Sequence, residues 1–403
     1  MTLPDSALPA VPRESYLRLF ARFLRFGLLA WGGPVAQIGM IRQEMVDEEH
    51  WISNERFNRV LAIYQVLPGP EAQELCVYFG MISGGRIGGL LAGLAFMLPG
   101  FILMLLLSWF YVTYSITSPL FAAAFYGMQA AVGALIVRAI HRIGGHALLD
   151  GWLWLIAALT FSAQFAGVHF AITLLLAGLM YTLVGRGQRT AARILTTACL
   201  IGLVAFTIWV WNSRAGGAIE SVSASSVPPS LLALFGSGLR SGLLTFGGAY
   251  TVIPYLQHDA VTVGGWMTNR QFLDGLALSG ILPAPLVIFG TFVGYMGGGF
   301  WGALALTLGI FLPAFAFTLV GHDVLERLVE NIALHSFLDG VTAGVVGLIS
   351  ATMLLLLREA ISDLSALAIF SVGLLILFRW KSKISVPVVV LGAAAAGLII
   401  SSF

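Results

Sequence analysis

The sequence predicts an all-α polytopic membrane protein whose two halves are homologous, an inverted-topology repeat with broken helices and about 12–13 membrane segments. Three observations carry that prediction. Apolar residues fill 58% of the 403 positions and charged ones 10%, and the mean hydropathy is +0.92, which excludes a water-soluble globule. The apolar runs are continuous rather than alternating and reach the length needed to cross roughly 30 Å of hydrocarbon, so they read as helices and not barrel strands. The second half of the chain repeats the first.

Taken in order, the expected spans of the first half are 16–38, 57–83, 87–112, 119–138, 148–166, 168–184 and 194–211. Those of the second are 231–255, 272–297, 299–320, 333–357, 364–379 and 386–402. The first dozen residues are polar and lead into an amphipathic run carrying Arg13, Arg18, Arg22 and Arg25, so no cleaved signal peptide is expected. Residues 212–230, rich in Ser, Gly and Pro, read as the linker between a half at 1–211 and a half at 231–403, with repeat cores at about 16–140 and 231–357.

Adding 215 to each position from Leu24 to Pro70 lands on Leu239 to Pro285 without a gap, and 17 of those 47 positions are identical. The matches include Arg25 with Arg240, Gly32-Gly33 with Gly247-Gly248, Trp51 with Trp266, and Pro68 and Pro70 with Pro283 and Pro285. After a one-residue slip Gly80 pairs with Gly294 and Pro99 with Pro313. Basic residues concentrate on the cytoplasmic side of membrane proteins. That rule assigns Arg138, Arg142, Arg186, Arg189, Arg193, Arg379, Lys381 and Lys383 to the cytoplasm. With seven spans before the linker, copy one then enters from the cytoplasm and copy two from outside. The loop Gly39–Arg59 runs against the rule, because it would lie outside with Arg42, Arg56 and Arg59, unless it is re-entrant.

The stretch Gln65 to Glu74 holds two prolines and two carboxylates inside an apolar run. Pro68 and Pro70 have no N–H, so the incoming helix stops and a new one restarts near Pro70. The N–H groups at the restart, at the positive end of a helix dipole, can hold an anion. Gly32-Gly33-Pro34 makes a second break, and Gly247-Gly248 repeats it. Arg25 and Arg240 each precede their glycine pair by seven residues, which puts a cation on the face of each break. Arg25, Gly32, Gly33, Gln65, Pro68, Gly69, Pro70, Gln73, Arg240, Gly247, Gly248, Pro283 and Pro285 are therefore the expected substrate-binding positions. Glu71 and Glu74 are the expected proton-coupling groups, since a carboxylate there competes with an anion for the same N–H groups. Glu44 pairs by register with Asp259 and reads as part of a solvated loop face. Trp51 and Trp266 read as interfacial anchors beside a helix cap.

No nucleophile motif, phosphate loop or metal-ligand spacing is visible, so neither an enzyme nor a cofactor or metal is expected. Cys76 and Cys199 read as packing residues. A net charge of +2 without a basic patch does not point to nucleic acid.

The stretches Phe26 to Pro34, Trp51 to Phe57, Gln65 to Gln73 and Pro99, with Thr245 to Gly248, Trp266 to Phe272, Leu282 to Pro285 and Phe311 to Pro313, resemble the long, two-domain members of the chromate ion transporter (CHR) family. Ala284 departs from the Pro-Gly-Pro usual in the family's second copy. The resemblance implies a multi-pass protein of the prokaryotic cytoplasmic (inner) membrane that exports chromate. Protons, through Glu71 and Glu74, and the lipid bilayer are the other expected partners, and a homodimer is left open. Sulfate or another oxyanion is the rival substrate, and an anion channel the rival mechanism.

Overall fold

The glycine and proline breaks of copy one turn the chain round instead of interrupting a crossing. A computed structural model describes residues 11–115, 118–215, 228–246, 249–329, 332–380, 382 and 384–402, and all the regular structure in them is helical. Helix α1 (Tyr16–Leu28) starts at Ser15, whose hydroxyl accepts the Arg18 N–H at 3.4 Å. The chain then passes through Gly32 and Gly33 at φ 91° and 77°, a left-handed conformation that glycine adopts at no steric cost. Helix α2 (Gly33–Arg42), with Pro34 in its first turn, continues as a π-helical segment Gln43–Glu48. It returns alongside α1, because Gln37 Nε2 donates to the Ala30 carbonyl at 2.9 Å while Arg22 and Arg25 both reach Glu44.

A second reversal follows. Helix α3 (Asn54–Val66) is capped by Ser53 and stops before Pro68, and α4 (Glu71–Phe110) restarts after Pro70. The two run antiparallel, with Phe57 stacked near Phe79 and Tyr64 edge-on to Tyr78. Helix α4 is itself folded at Gly84-Gly85, where Gly85 has φ 64° and ψ −164°. A Cβ on Gly80 would collide with the Gly88 carbonyl, yet a straight helix would hold those residues about 12 Å apart. Residues 71–83 are therefore a half-helix laid against 86–110, and only the latter, roughly 37 Å of helix, is long enough to cross. A π-helical segment Tyr111–Ser115 and α5 (Pro119–Ala147) follow.

This corrects the expected spans. Segments 16–38 and 57–83 are not crossings, because two half-crossings joined by a reversal have the same apolar length as one crossing. The correction also removes the charge conflict at Gly39–Arg59, since a hairpin returns that loop to the side from which α1 starts.

Helices α6 (Gly151–Ala166), α7 (Phe170–Gly185) and α8 (Arg189–Ala215) lead to copy two. Residues 216–227 of the expected linker, and Lys381 and Lys383, lie outside the described residues. Copy two repeats the hairpins. Helix α9 (Leu231–Leu243) is followed by a 3-10 turn Ala249–Thr251, α10 (Val252–Gln257) and a π-helical segment His258–Val263. Helix α11 (Asn269–Gly280), held by a Thr268/Gln271 capping box, is followed by a 3-10 turn Leu286–Ile288 and α12 (Phe289–Val329). Helix α12 folds at Gly298-Gly299 as α4 does at Gly84-Gly85. Helices α13 (Ile332–Ala360), α14 (Leu364–Arg379) and α15 (Ser385–Ile400) complete the chain.

The described residues fall into two compact units, one drawn from 1–138, 228–325 and 356–403, the other from 139–227 and 326–355. In the first unit the long parts of α4 and α12 run antiparallel: a Cβ on Gly89 would meet Leu319, and one on Gly93 would meet Phe315. These are equivalent elements of the two copies, so the copies point in opposite directions. The repeat is inverted. In the second unit, Leu153, Ile156, Ala177, Met180 and Ala343 form a buried cluster, and Asp150 ties α6 to α7 by capping Leu153 N–H at 2.9 Å and accepting the Tyr181 hydroxyl at 2.8 Å.

Candidate anion site

The Pro68-Gly69-Pro70 tip is buried within the first unit. Gly69 has φ 155°, and in that conformation its N–H reaches across to copy two and donates to the Thr245 carbonyl at 3.0 Å. A Cβ on Gly69 would lie 3.1 Å from that of Ala314 on α12. The copy-two tip makes the related contact, Ala284 lying against Gly100 on α4. Gly69 pairs with Ala284 and Gly100 with Ala314 in the repeat register, so the two contacts are images of each other.

Helix α4 restarts here, and α2, α10 and α12 are the other helices that follow a break. The 3-10 turn Ala249–Thr251 packs on the 3-10 turn Leu286–Ile288, and α2 packs on α4. Each helix start directs N–H groups and the positive end of its dipole outward. In the first turn of α4, Glu71 is 9% exposed and Gln73 and Glu74 are fully buried. Both amide atoms of Gln73 and both carboxyl oxygens of Glu74 are without a hydrogen-bond partner among the described residues. Buried polar groups are ordinarily paired, so a cluster like this marks a place where something else completes the bonding.

Of the other expected site residues, Pro283 and Pro285 flank the buried copy-two tip, Gly32 and Gly33 are half-buried, and Gln65 is exposed on α3. Gly247 and Gly248 lie outside the described residues. Arg25 pairs with Glu44, and Arg240 with Asp259 at 3.0 Å. Glu44 and Asp259 thus belong to matching hairpin staples, not to a solvated loop face. Asp259 also accepts the Ser237 hydroxyl at 2.6 Å, and Glu44 shares Arg22 with Glu14 and Glu49. Trp51 is buried at 2% exposure, edge-on to Phe79 and under the Arg22 guanidinium, and so is no interfacial anchor.

Sequence reading missed three groups. Thr245 lends only its backbone carbonyl, which leaves no side-chain signal. Gln37, 1% exposed, has an unpartnered Oε1 beside its bond to Ala30. Asp274 is buried with Tyr111 and Gln129 as donors; its signal was an acid inside an expected span. In the second unit an apolar cleft of about 550 Å³ among α6, α7 and α8 offers an oxyanion little beyond the His169 imidazole.

Two comparisons bear on identity. A relative named chromate transport protein in Pseudomonas aeruginosa is 55% identical over 98% of this chain and 95% of its own length. A probable chromate transport protein of Synechococcus elongatus is 30% identical over 98% of both, and a chromate transport protein of Cupriavidus metallidurans is 29% identical over 99% of this chain and 96% of its own. No solved structure matches the chain. The chromate transporter family profile matches residues 17–183 and again 232–398, once on each copy. With its inverted hairpins and a match on both halves, this multi-pass membrane protein belongs to the chromate transporter family.

Proposed function

We propose that the protein is a secondary transporter that exports chromate across the cytoplasmic (inner) membrane of a prokaryote, driven by the membrane potential, a proton gradient or both. The observation that carries this reading is the buried, unpartnered pair Gln73 and Glu74 at the start of α4, beside the Gly69–Thr245 contact between the copies. The α4 start offers backbone N–H groups and a dipole to an oxyanion, Gln73 offers an amide donor, and Glu74 offers a carboxyl that can exchange a proton. Protonating Glu71 or Glu74 removes the charge that competes with the anion. Arg25 and Arg240, one per copy, are the cations of the anion path and are held by Glu44 and Asp259. Export is the downhill direction for a dianion in a negative-inside cell, worth about 2.3 kcal/mol per charge per 100 mV and roughly twice that for two charges. The names of the relatives support chromate as substrate.

The test is chromate accumulation in everted vesicles under an imposed potential and pH gradient, with wild type compared to Glu71→Gln, Glu74→Gln and Arg25→Ala. Saturable uptake that loses its pH dependence in a Glu variant is expected. Wild-type vesicles that take up sulfate and ignore chromate would overturn the substrate, and non-saturating, proton-independent flux would make the protein a channel.

A further inference from the structure

A second polar site lies away from the Pro68–Pro70 tip, at the end of the first unit where α4 finishes and α5 begins. Its cavity of about 370 Å³ is lined by Tyr111, Tyr126, Gln129, Thr268, Arg270 and Asp274, among others. Asp274, on α11, is 5% exposed. Its Oδ2 accepts the Tyr111 hydroxyl at 2.8 Å and its Oδ1 accepts Gln129 Nε2 at 2.7 Å. Both donors are neutral, and no Lys or Arg nitrogen lies within 4 Å of this carboxyl among the described residues.

The elements around it bring few other charges. The segment ending α4 contributes Tyr111, α5 contributes Tyr126 and Gln129, and α11 contributes Arg270, which is exposed at the cavity rim. Helix α15, which packs on α11, carries no titratable side chain. Asp363 is reached only through Tyr126. Most of the residues lining the cavity carry a polar group, and its volume is many times the roughly 30 Å³ that one water occupies, so water can meet the carboxyl.

Copy one has no counterpart. Asp274 pairs in the repeat register with Arg59, and Arg270 with Glu55, so the charges are exchanged. A carboxyl held by two neutral donors and open to water on one side is built to gain and lose a proton rather than to hold a fixed ion pair. It is also the wrong sign to receive an oxyanion.

We propose that Asp274 is a second proton-exchange site, trading its proton with water in this cavity on the membrane side opposite the copy-one hairpin bases. The proton bonds to a carboxyl oxygen from cavity water and returns to it, and no electrons move. Its use in transport rests on the proton-linked reading of the α4 site, but the exchange itself does not.

Two measurements test it. In wild-type protein in detergent, a hydrophobic carbodiimide, which adds to protonated carboxyls, should label Asp274 by mass spectrometry several-fold more at acid than at alkaline pH. An unlabelled Asp274 at every pH at which the protein stays folded overturns the proposal, and this arm needs no chromate. In proteoliposomes, chromate flux is measured while pH is varied on the Arg270 side alone. The ratio of acid to alkaline flux should fall to about one in Asp274→Asn and shift in Tyr111→Phe. A wild-type ratio in Asp274→Asn also overturns it. If wild type carries no chromate while Asp274 labels as expected, the substrate reading fails and the proton site stands.

Discussion

Gly69 does at the copy-one tip what Ala284 does not do at the copy-two tip. At φ 155° its N–H leaves its own hairpin and bonds Thr245 of the other copy, whereas the Ala284 N–H turns back to Leu282 at 2.9 Å. Gly69→Ala would place a Cβ 3.0 Å from Glu74 Oε1 and 3.1 Å from the Ala314 Cβ, in a conformation L residues rarely adopt. We expect a loss of about 1–3 kcal/mol in a detergent melt together with loss of transport, while Ala284→Gly changes either little. Glu74→Gln keeps the side-chain volume and removes a buried carboxyl that has no partner among the described residues. Its melting temperature should therefore not fall, and only the pH profile of flux should flatten. A large loss of stability would mean that the carboxyl is structural.

At the scale of elements, the hairpins are held by ion pairs of unequal worth. The Arg22 side chain is 16% exposed and meets Glu14, Glu44 and Glu49 at 2.6–2.9 Å; Arg22→Ala strands Glu14 and leaves Glu44 to Arg25 and Glu49 to the Trp51 indole, and should cost about 2–4 kcal/mol. Arg240 is 56% exposed, and Arg240→Ala should cost below about 1 kcal/mol. Urea unfolding in detergent would rank them, and equal losses would contradict the burial argument. At the start of α14, the Tyr126 hydroxyl and then the Ala366 N–H hold the Asp363 carboxyl below the usual carboxylate range. A folded-state value lower than the unfolded one means the stabilisation is complete above the ordinary Asp value of about 3.9 and is lost as pH falls through the folded-state value. Asp363→Ala should thus melt lower than wild type at neutral pH, with the gap closing in acid. The caps, breaks and restarts were legible in Ser53, Thr268, Pro68 and Pro70, because capping and proline chemistry are local. The reversals were not, because a hairpin and a crossing share one apolar pattern.

At the scale of the whole molecule, the inverted repeat makes a prediction about sides. Glu48 and Val263 are register equivalents in the two hairpin loops, both exposed. On a background with Cys76 and Cys199 replaced, Glu48→Cys and Val263→Cys should react with an impermeant maleimide from opposite sides of the membrane. Labelling from the same side would overturn the inversion. The copy-one hairpin ends gather Arg18, Arg22, Arg42, Arg56, Arg59 and Arg86, so that side is expected to be the cytoplasmic one.

The sequence by itself determined that the chain is helical, lies in a membrane and is built twice, because composition, run length and a repeat register offset by 215 residues and gapless over 47 positions are properties of the chain alone. It also placed the polar cluster Glu71, Gln73 and Glu74 at a helix restart. Only the tertiary structure decided that the breaks are reversals, that Arg25 and Arg240 are held by Glu44 and Asp259, and that Asp274 faces Tyr111 and Gln129. Those facts depend on which helices meet in space. One-dimensional periodicity fixes which face of a helix is apolar, but not which neighbour that face finds.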